Sequence, residues 1–383
     1  MDDIIVVGGG PAGCLAAMES AKRNLNVTVF EERESIGSRL KCSGLISKKG
    51  LDTLEVDYRK SILNELHGTI IYSPSLKEMN ITAKDVKAFA IDRKEFDARC
   101  AEEAESAGAK ILLRKKANRS NVKSKLLIGA DGALSEVAKW FDFPQMNEYA
   151  FCYQADFQNA VIEDKSLVSV FLSNNLFPGF FGWVIPLDEY TARVGLGVFR
   201  DVRKGYDRSV KIYFDTFTKK HPVVSKIIKK SKSKNRLSAV IPLSTRDETA
   251  KGNVLLVGDA AGQVKATTGG GVVFGGNCAK IAGSLAPIII ESDDSSEYER
   301  IWRKKFGDDL RLHKRLRDFY NSLTDRQIDA YFTLAKKAGI EKFLAENGDL
   351  DSPTAMLKPA NSAAPLHAFA FRVFGTMILK KLI

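Results

Sequence analysis

Residues 4–13 read IIVVGGGPAG, four β-branched residues followed directly by a glycine-rich turn. Such an apolar run is typical of a strand that is buried on both faces of a parallel sheet. Residues 14–23 then predict a helix, and residues 27–30, VTVF, predict a second strand that ends at Glu31. The N-terminal sequence therefore predicts a βαβ unit.

The glycines of the first turn have the GxGxxG spacing of dinucleotide-binding proteins. Gly8 would permit the tight turn, Gly10 would let a pyrophosphate approach the backbone, and Gly13 would let the helix pack close to the strand. The helix N-terminus favours negative charge through its free N–H groups and its dipole. Glu31 would accept hydrogen bonds from ribose hydroxyls. FAD and NAD both stay open at this point, and the remaining predicted contacts of this unit are Pro11, Ala12 and Glu32.

Composition and charge restrict the class of protein. Of 383 residues, 44% are hydrophobic and 27% are charged, which excludes disordered, collagen-like and polytopic membrane chains. A net charge of +11 favours nucleic acid, an anionic membrane surface or an acidic substrate. Five cysteines without a CxxC pair and four scattered histidines predict no metal site and no disulfide framework. The first residues do not have the pattern of a signal peptide, so we expect a cytoplasmic protein.

Two further strand-and-turn segments have the same character as the first. Residues 126–132, LLIGADG, predict a strand followed by Asp131, and residues 253–262 predict a strand that runs into GDAAG with Asp259. An acid at such a strand end can hold a polyol chain by hydrogen bonding. Gly270 and Gly271 then open a predicted helix whose N–H groups could face an anion. The alternative is two ordinary strand–turn–helix corners.

The order GGGPAG, GADGxxS and GDAAG resembles that of FAD-dependent oxidoreductases of the aromatic-hydroxylase fold type. This superfamily includes hydroxylases, flavin halogenases and geranylgeranyl reductases, and the resemblance implies FAD as the cofactor. Residues 91–97, IDRKEFD, match the DRxxFD run of such proteins. The match implies that Arg93 approaches the flavin or its adenylate while Asp97 helps to fix the helix. The alternative is a simple helix start with Asp92 as the N-cap.

Residues 41–47, KCSGLIS, are similar to the cysteine-glycine loop of the geranylgeranyl reductase family. The resemblance implies that Lys41 and Cys42 lie near the flavin. It also implies that Cys42 positions the substrate alkene or donates a proton to the carbon opposite the hydride. The alternative is a buried cysteine that acts as a small hydrophobic residue.

Residues 181–186, FGWVIP, place Phe181, Trp183 and Ile185 on one face of a strand. The run resembles the YxWxFP motif of the geranylgeranyl reductases, which implies an apolar wall for a prenyl chain. It also overlaps the WxWxIP motif of flavin halogenases, except that Phe181 stands in place of the first Trp. The alternative is a strand that simply faces the core.

The family resemblance implies a reaction in which reduced FAD delivers hydride from N5 to a C=C bond of a geranylgeranyl chain. The implied substrate is a digeranylgeranylglycerol phosphate or phospholipid, and the electron donor would be NADPH, a ferredoxin or a reduced deazaflavin. A flavin-dependent monooxygenase or halogenase on the same scaffold is the first alternative. A flavoprotein that uses FAD structurally or as a redox sensor is the second.

A lipid substrate requires contact with the membrane, and two segments offer it. Residues 364–383 mix apolar residues with three basic ones, which predicts either an interfacial anchor or a docked C-terminal helix. Residues 219–236 contain eight Lys and Arg, which predicts either a solvated face or a face toward phosphate or membrane. No nucleic-acid recognition motif accompanies them, so we expect no nucleic-acid partner.

The sequence as a whole predicts an α/β (α+β) fold in three parts. A Rossmann-like FAD-binding domain is expected over residues 1–65, 85–145 and 250–290. An antiparallel β-sheet substrate domain is expected as an insertion over residues 66–84 and 146–249. Residues 291–383 are expected to form a helical C-terminal region.

Overall fold

The computed structural model describes residues 2–38, 42–205 and 209–357. Within these ranges the strands are β1 (Ile4–Val7), β2 (Val27–Phe30), β3 (Leu45–Ser47), β4 (Ile62–Leu66), β5 (Gly68–Tyr72), β6 (Glu78–Thr82), β7 (Ala88–Ile91), β8 (Lys110–Leu112), β9 (Leu126–Gly129), β10 (Glu148–Gln158), β11 (Leu167–Phe171), β12 (Gly182–Pro186), β13 (Thr191–Asp201), β14 (Lys232–Pro242), β15 (Ala250–Lys251) and β16 (Val254–Leu256). The α-helices are α1 (Pro11–Ala21), α2 (Lys48–Asp52), α3 (Arg93–Ser106), α4 (Glu136–Trp140), α5 (Val210–Lys220), α6 (Pro222–Ile227), α7 (Val272–Ser292), α8 (Ser296–Asn321), α9 (Asp325–Lys337) and α10 (Ile340–Asn347).

A six-stranded sheet carries the glycine-rich turn. Its strand order is β15-β16-β9-β1-β2-β8, and every neighbouring pair is parallel except β15 and β16. The predicted strands at Ile4–Val7 and Val27–Phe30 are confirmed, and both are buried along their whole length. Because the strands are parallel, the turns after β1, β2, β9 and β16 lie at the same edge of the sheet, where open α/β sheets bind their ligands.

Helices α1 and α7 form the layer against this sheet. They touch closely, because a Cβ on Gly283 would lie only 2.5 Å from the carbonyl oxygen of Ala16. Helix α7 is the one described helix that is long and apolar enough to cross a membrane, but over half of its apolar window is buried inside the protein. Its apolar character is therefore explained by its place in the core.

A seven-stranded sheet has the order β14-β10-β13-β12-β11-β5-β6. The antiparallel expectation is wrong at one position, since β11 and β5 pair in parallel with Leu167 opposite Gly68. A parallel pair needs a long crossover. The chain between β5 and β11 provides one, because it passes through the six-stranded sheet. Helices α5 and α6 cover one face of this sheet around Phe214, Phe217 and Val224.

The three-stranded sheet β3-β7-β4 was not predicted from the sequence. It joins the two larger sheets, because Ala88 and Ala90 of β7 pack in a core cluster of the seven-stranded sheet while Phe89 and Ile91 pack in that of the six-stranded sheet. The expected helical C-terminal region is found as α8, α9 and α10. Trp302 in α8 donates a hydrogen bond to Thr249 (2.9 Å), and this contact fixes α8 beside the six-stranded sheet. The proposed anchor at residues 364–383 lies outside the described residues.

Candidate active site

The glycine-rich turn has the geometry that a bound anion requires. Gly8 adopts φ +104°, and a Cβ on Gly13 would lie 1.9 Å from the Gly8 carbonyl oxygen, so only glycine lets α1 begin this close to β1. A Cβ on Gly10 would meet no atom within 4 Å, so this position opens onto free space. Helix α1 begins at Pro11 without an acidic residue in its first turn and without a side-chain cap. The N–H groups of its first turn, among them that of Ala12, therefore remain available to a pyrophosphate.

Glu31 is buried at the end of β2 and is held by two backbone groups. Its Oε2 accepts a hydrogen bond from the N–H of Gly9 (2.9 Å), and its Oε1 accepts one from the N–H of Arg33 (3.0 Å). Each carboxylate oxygen keeps capacity for a second donor, such as a ribose hydroxyl. Glu32 is exposed, so the two predicted residues differ in burial although they are adjacent in sequence.

Asp131 follows β9, and its two carboxylate oxygens differ in their hydrogen bonds to the described residues. Oδ2 accepts hydrogen bonds from the N–H groups of Glu136 (2.7 Å) and Val137 (3.0 Å). Oδ1 is buried and has no hydrogen-bond partner among the described residues. Burial raises the pKa of Asp131, and its hydrogen bonds only partly offset this effect. A buried oxygen of this kind is suited to accept a hydrogen bond from a hydroxyl of a bound polyol.

Asp259 brings the third motif to the same edge of the sheet. A Cβ on Gly258 would lie 2.9 Å from the Cβ of Ala12, so the GDAAG turn packs on the start of α1. A Cβ on Gly271 would lie 2.7 Å from Oδ1 of Asp259, so the start of α7 closes on the same carboxylate. Gly271 is the N-cap of α7, and this helix also begins without a side-chain cap. Two uncapped helix N-termini therefore meet around the GDAAG turn, which fits the charge distribution of a flavin dinucleotide.

Cys42 is half-buried, whereas the other four cysteines of the chain are all buried. Its sulfur accepts a hydrogen bond from the N–H of Gly44 (3.4 Å). Arg93 lies beside it and pairs with Asp97 at 2.8 Å. Burial alone would lower the pKa of Arg93, but the charges of Asp97 and Cys42 outweigh it and the pKa is raised. Lys41 lies outside the described residues.

The residues of the DRxxFD run contact each other at the start of α3. Asp92 is the N-cap of this helix and accepts a hydrogen bond from the N–H of Lys94 (2.8 Å). Arg93 and Asp97 then pair across one helical turn, and both side chains are nearly buried. In this position Arg93 contacts the Cys42 loop, and a contact of Arg93 with the flavin stays a prediction.

Two side chains of the seven-stranded sheet donate hydrogen bonds to backbone carbonyl groups of the Cys42 loop. Gln154 on β10 donates a hydrogen bond to the carbonyl oxygen of Cys42 (3.2 Å). Arg193 on β13 donates one to the carbonyl oxygen of Ser43 (2.7 Å). Arg193 also forms a bidentate pair with Asp156 at 2.7 and 3.0 Å, with both side chains 8% exposed. These three residues were missed in the sequence, where the only signal was a charged residue inside each of two apolar strands.

The three apolar residues of the FGWVIP run lie on the same side of this sheet as the Cys42 loop. Trp183 and Ile185 belong to one core cluster, and Phe181 packs against it. The rings of Phe181 and Trp183 meet edge to face at 5.8 Å. A Cβ on Gly195 would lie 2.5 Å from the Trp183 ring and 2.6 Å from the Cβ of Gln154, so the wall and the residue that holds Cys42 are neighbours. The indole N–H of Trp183 is buried without an acceptor among the described residues.

A segment after α10 packs against the loop that precedes α7. Lys265, which is buried, pairs with Asp351 at 2.6 Å and also donates to the carbonyl oxygen of Leu350 (3.0 Å). Asp351 also accepts a short hydrogen bond from Ser47, the residue that ends β3. A Cβ on Gly270 would lie 2.7 Å from Cε of Lys265, so this contact sets the position of the turn before α7. The sequence offered no signal for this contact.

Comparison with known proteins identifies the family of the chain and the proteins that share its fold. Residues 81–279 match the family model for the FAD binding domain, and residues 6–69 match that for an NAD(P)-binding Rossmann-like domain. The digeranylgeranylglycerophospholipid reductase of Methanocaldococcus jannaschii is 29% identical over 364 residues, which cover 86% of this chain and 89% of that protein. A geranylgeranyl bacteriochlorophyll reductase-like protein from Thermoplasma acidophilum superposes with a TM-score of 0.79 at 25% identity, over 96% of this chain and 99% of that one.

A flavin-dependent brominase superposes with a TM-score of 0.72 at 14% identity, over 98% of each chain. At that identity the likeness concerns the fold alone. The fold is therefore shared with a flavin-dependent halogenase and does not by itself identify the reaction.

Proposed function

The chain belongs to the FAD binding domain family, and from this premise we propose that it saturates C=C bonds in the geranylgeranyl chains of isoprenoid ether lipids. That it is an FAD-dependent oxidoreductase follows from its family and its reductase relatives. The proposal adds the substrate, a digeranylgeranylglycerol phosphate or phospholipid, and the roles of individual residues. NADPH, a ferredoxin or a reduced deazaflavin would supply the electrons.

One observation carries the proposal: the seven-stranded sheet that bears the apolar wall also holds the Cys42 loop, through Gln154 and Arg193. A prenyl chain has no polar group by which it could be oriented, so its position must come from the shape of an apolar surface. Phe181 and Trp183 form an apolar edge-to-face pair on the same sheet that holds the Cys42 loop. This arrangement supports a reaction on a hydrocarbon better than one on a polar substrate.

The residues of the fingerprint would hold the cofactor. The first turn of α1 would bind the pyrophosphate, Glu31 would bind a ribose, and Asp131 and Asp259 would accept hydrogen bonds from cofactor hydroxyls. Gly270 and Gly271 would let the start of α7 approach the flavin ring. When bound and reduced, FAD supplies the hydride.

Cys42 would supply the proton. An isolated alkene is not electrophilic, so its reduction depends on close positioning and on an acid placed at the second carbon. The Cys42 thiol would give its proton to that carbon, and Arg93 would stabilise the thiolate that remains. Phe181, which is partly buried, would contact the chain, and Trp183 and Ile185 would support it from the core beneath.

The test is an anaerobic reaction of the FAD-loaded protein with dithionite and digeranylgeranylglyceryl phosphate, with the product masses recorded. We expect mass gains in steps of two hydrogens, strongly reduced in Cys42→Ala and retained in Cys100→Ala, since Cys100 is buried in the core of the six-stranded sheet. An unchanged substrate mass, together with rapid reoxidation of the reduced flavin in air, would instead support a flavin-dependent monooxygenase or halogenase.

A further inference from the structure

A second site lies on the opposite face of the seven-stranded sheet. Helices α5 and α6 and strand β14 enclose a cleft of about 570 Å³. Side chains alternate along β10, so that Gln154 and Asp156 face the Cys42 loop while Tyr153 and Phe157 face the cleft. The sheet therefore separates this cleft from the candidate active site.

The floor of the cleft is aromatic. The ring of Tyr153 lies 4.9 Å from that of Phe214, and the ring of Phe157 lies 6.5 Å from it. Ile228 completes the apolar surface. Glycerol and the first carbons of an acyl or ether chain could rest on such a floor.

The rim of the cleft is cationic, and its positive charges exceed its negative ones. Lys219, Lys229 and Arg236 are exposed on the rim, and no carboxylate of the described chain lies within ion-pairing distance of them. Asp215 is the acidic residue of the lining, and it is already paired with Lys211 at 2.6 Å. The three remaining cations come from the end of α5, from the segment after α6 and from β14.

A β-bulge directs Arg236 into the cleft. The register between β10 and β14 shifts between Gln154 and Asp156, so that two residues of β14 stand opposite Ala155. Asn235 adopts φ +49° at this point and donates a hydrogen bond to Asp156 (3.1 Å) on the other face of the sheet. Arg236 is left to line the cleft, where it donates to Ser233 (2.8 Å). Bulges commonly re-aim a side chain in this way.

From these contacts we propose that the cleft, defined by Lys219, Lys229 and Arg236 on its rim and Tyr153, Phe157 and Phe214 on its floor, binds the phosphate headgroup of an anionic membrane lipid. Three cations that pair with no carboxylate of the described residues, above an aromatic floor, complement a phosphate attached to an apolar body. The choice of a lipid among phosphate compounds rests on the proposed function, since the substrate is then a membrane lipid. The lipid in this cleft docks the enzyme and is distinct from the substrate, because the sheet lies between the two sites.

The test measures binding of the full FAD-loaded protein to vesicles by flotation, a readout that does not depend on reductase activity. The vesicles contain phosphatidylcholine alone or with about 30 mol % phosphatidic acid, enough to give an anionic surface. The cleft variant combines Lys219→Gln, Lys229→Gln and Arg236→Gln. The matched control combines Lys220→Gln, Lys226→Gln and Lys230→Gln, which removes the same charge from exposed neighbours outside the cleft.

We expect wild type to float only with the anionic vesicles. The cleft variant should lose more than about tenfold in affinity and the control variant less than about threefold. Restoring the charges as Lys219→Arg, Lys229→Arg and Arg236→Lys should restore binding. An equal loss in both triple variants would overturn the proposal, because net charge alone would then explain binding. Direct binding of millimolar inorganic phosphate without any binding to anionic vesicles would overturn it too, since the ligand would then be a free anion.

Discussion

The guanidinium of Arg193 and the carboxylate of Asp156 face each other directly across β10 and β13, where the two residues are register partners. The pair is buried, and its remaining guanidinium nitrogen reaches the carbonyl oxygen of Ser43. A buried charge pair therefore connects the seven-stranded sheet to the loop that carries Cys42. This gives Arg193 a positioning role in addition to its structural one.

Removal of one partner should be costly. Arg193→Met leaves the Asp156 carboxylate buried without its countercharge, which should lower the free energy of unfolding by roughly 3 kcal/mol or more. Denaturant unfolding measures this loss. The matched control is Arg311→Met, since the Arg311 and Asp308 side chains are 61% and 81% exposed in their pair. This control should leave the unfolding midpoint nearly unchanged, and an equal loss in both variants would contradict the role of burial.

Removal of both charges should separate stability from activity. The double variant Asp156→Leu, Arg193→Met replaces the pair by apolar groups and should regain most of the lost stability, since no charge stays buried alone. It still lacks the hydrogen bond to Ser43, so the turnover number for prenyl reduction should stay low while FAD content is normal. Recovery of turnover together with stability would mean that Arg193 does not position the loop.

Glu31 and Glu32 form a natural pair for testing the cofactor site. Glu31→Gln removes the charge that would bind a ribose and weakens two backbone contacts, so FAD affinity should fall by about tenfold or more. Glu32→Gln changes an exposed residue and should leave the affinity unchanged. Flavin retained after dialysis, read from the flavin absorbance, measures both. Equal retention in the two variants would place the ribose elsewhere.

Trp183 should tolerate loss of its N–H but not loss of its ring. The unpartnered indole N–H costs about 1–3 kcal/mol when buried. Trp183→Phe removes that cost and should change the free energy of unfolding little, with turnover of the prenyl substrate retained. Trp183→Ala leaves a cavity and should lose roughly 3 kcal/mol. If turnover collapses in the Phe variant although the protein is folded, the N–H itself is needed by a ligand.

His221 should make stability depend on pH. Burial lowers its pKa from 6.5 to about 4. Its Nδ1 accepts a hydrogen bond from the N–H of Val224, and its ring lies 4.7 Å from that of Phe171, so a proton would be unfavourable there. Between pH 6.5 and 4 the unfolded chain binds a proton that the folded chain excludes. The free energy of unfolding should therefore fall by about 3 kcal/mol over this window and should not depend on His221 above it.

His221→Asn keeps an acceptor for Val224 and removes the titrating group. Its unfolding free energy should therefore fall less steeply between pH 6.5 and 4 than that of wild type. A residual slope is expected from His313, whose pKa is also lowered to about 4 by burial and by Lys265. Chemical denaturation at several pH values measures the difference between the two slopes. Identical slopes would show that His221 is not protected from protonation in the folded state.

Local patterns in the sequence predict the strands and turns of the candidate FAD site, because each of these parts lies within one strand and the turn after it. Gly13 and Glu31 are found at the places that their short-range spacing predicts, and the parallel pairing of β1 and β2 brings them to one edge of the sheet. The contact of Arg193 with Asp156 depends on the register of an antiparallel pair, which side-chain alternation alone does not determine. The contact of Lys265 with Asp351 depends on how the chain returns after four helices. Such long-range contacts have no signature in the spacing of residues.

The parallel pairing of β5 with β11 has a consequence for any attempt to divide the protein. Strands β5 and β6 precede the chain that builds α3, β8 and β9, whereas β11 follows it. A fragment of residues 146–249 would therefore lack two strands, and β11 would become a bare edge with unpaired N–H and C=O groups, a known cause of aggregation. The seven-stranded sheet is complete only after the chain has passed through β8 and β9 of the six-stranded sheet. No continuous segment contains all seven strands without also containing β8 and β9 of the six-stranded sheet. The seven-stranded sheet could therefore not be exchanged between proteins by itself.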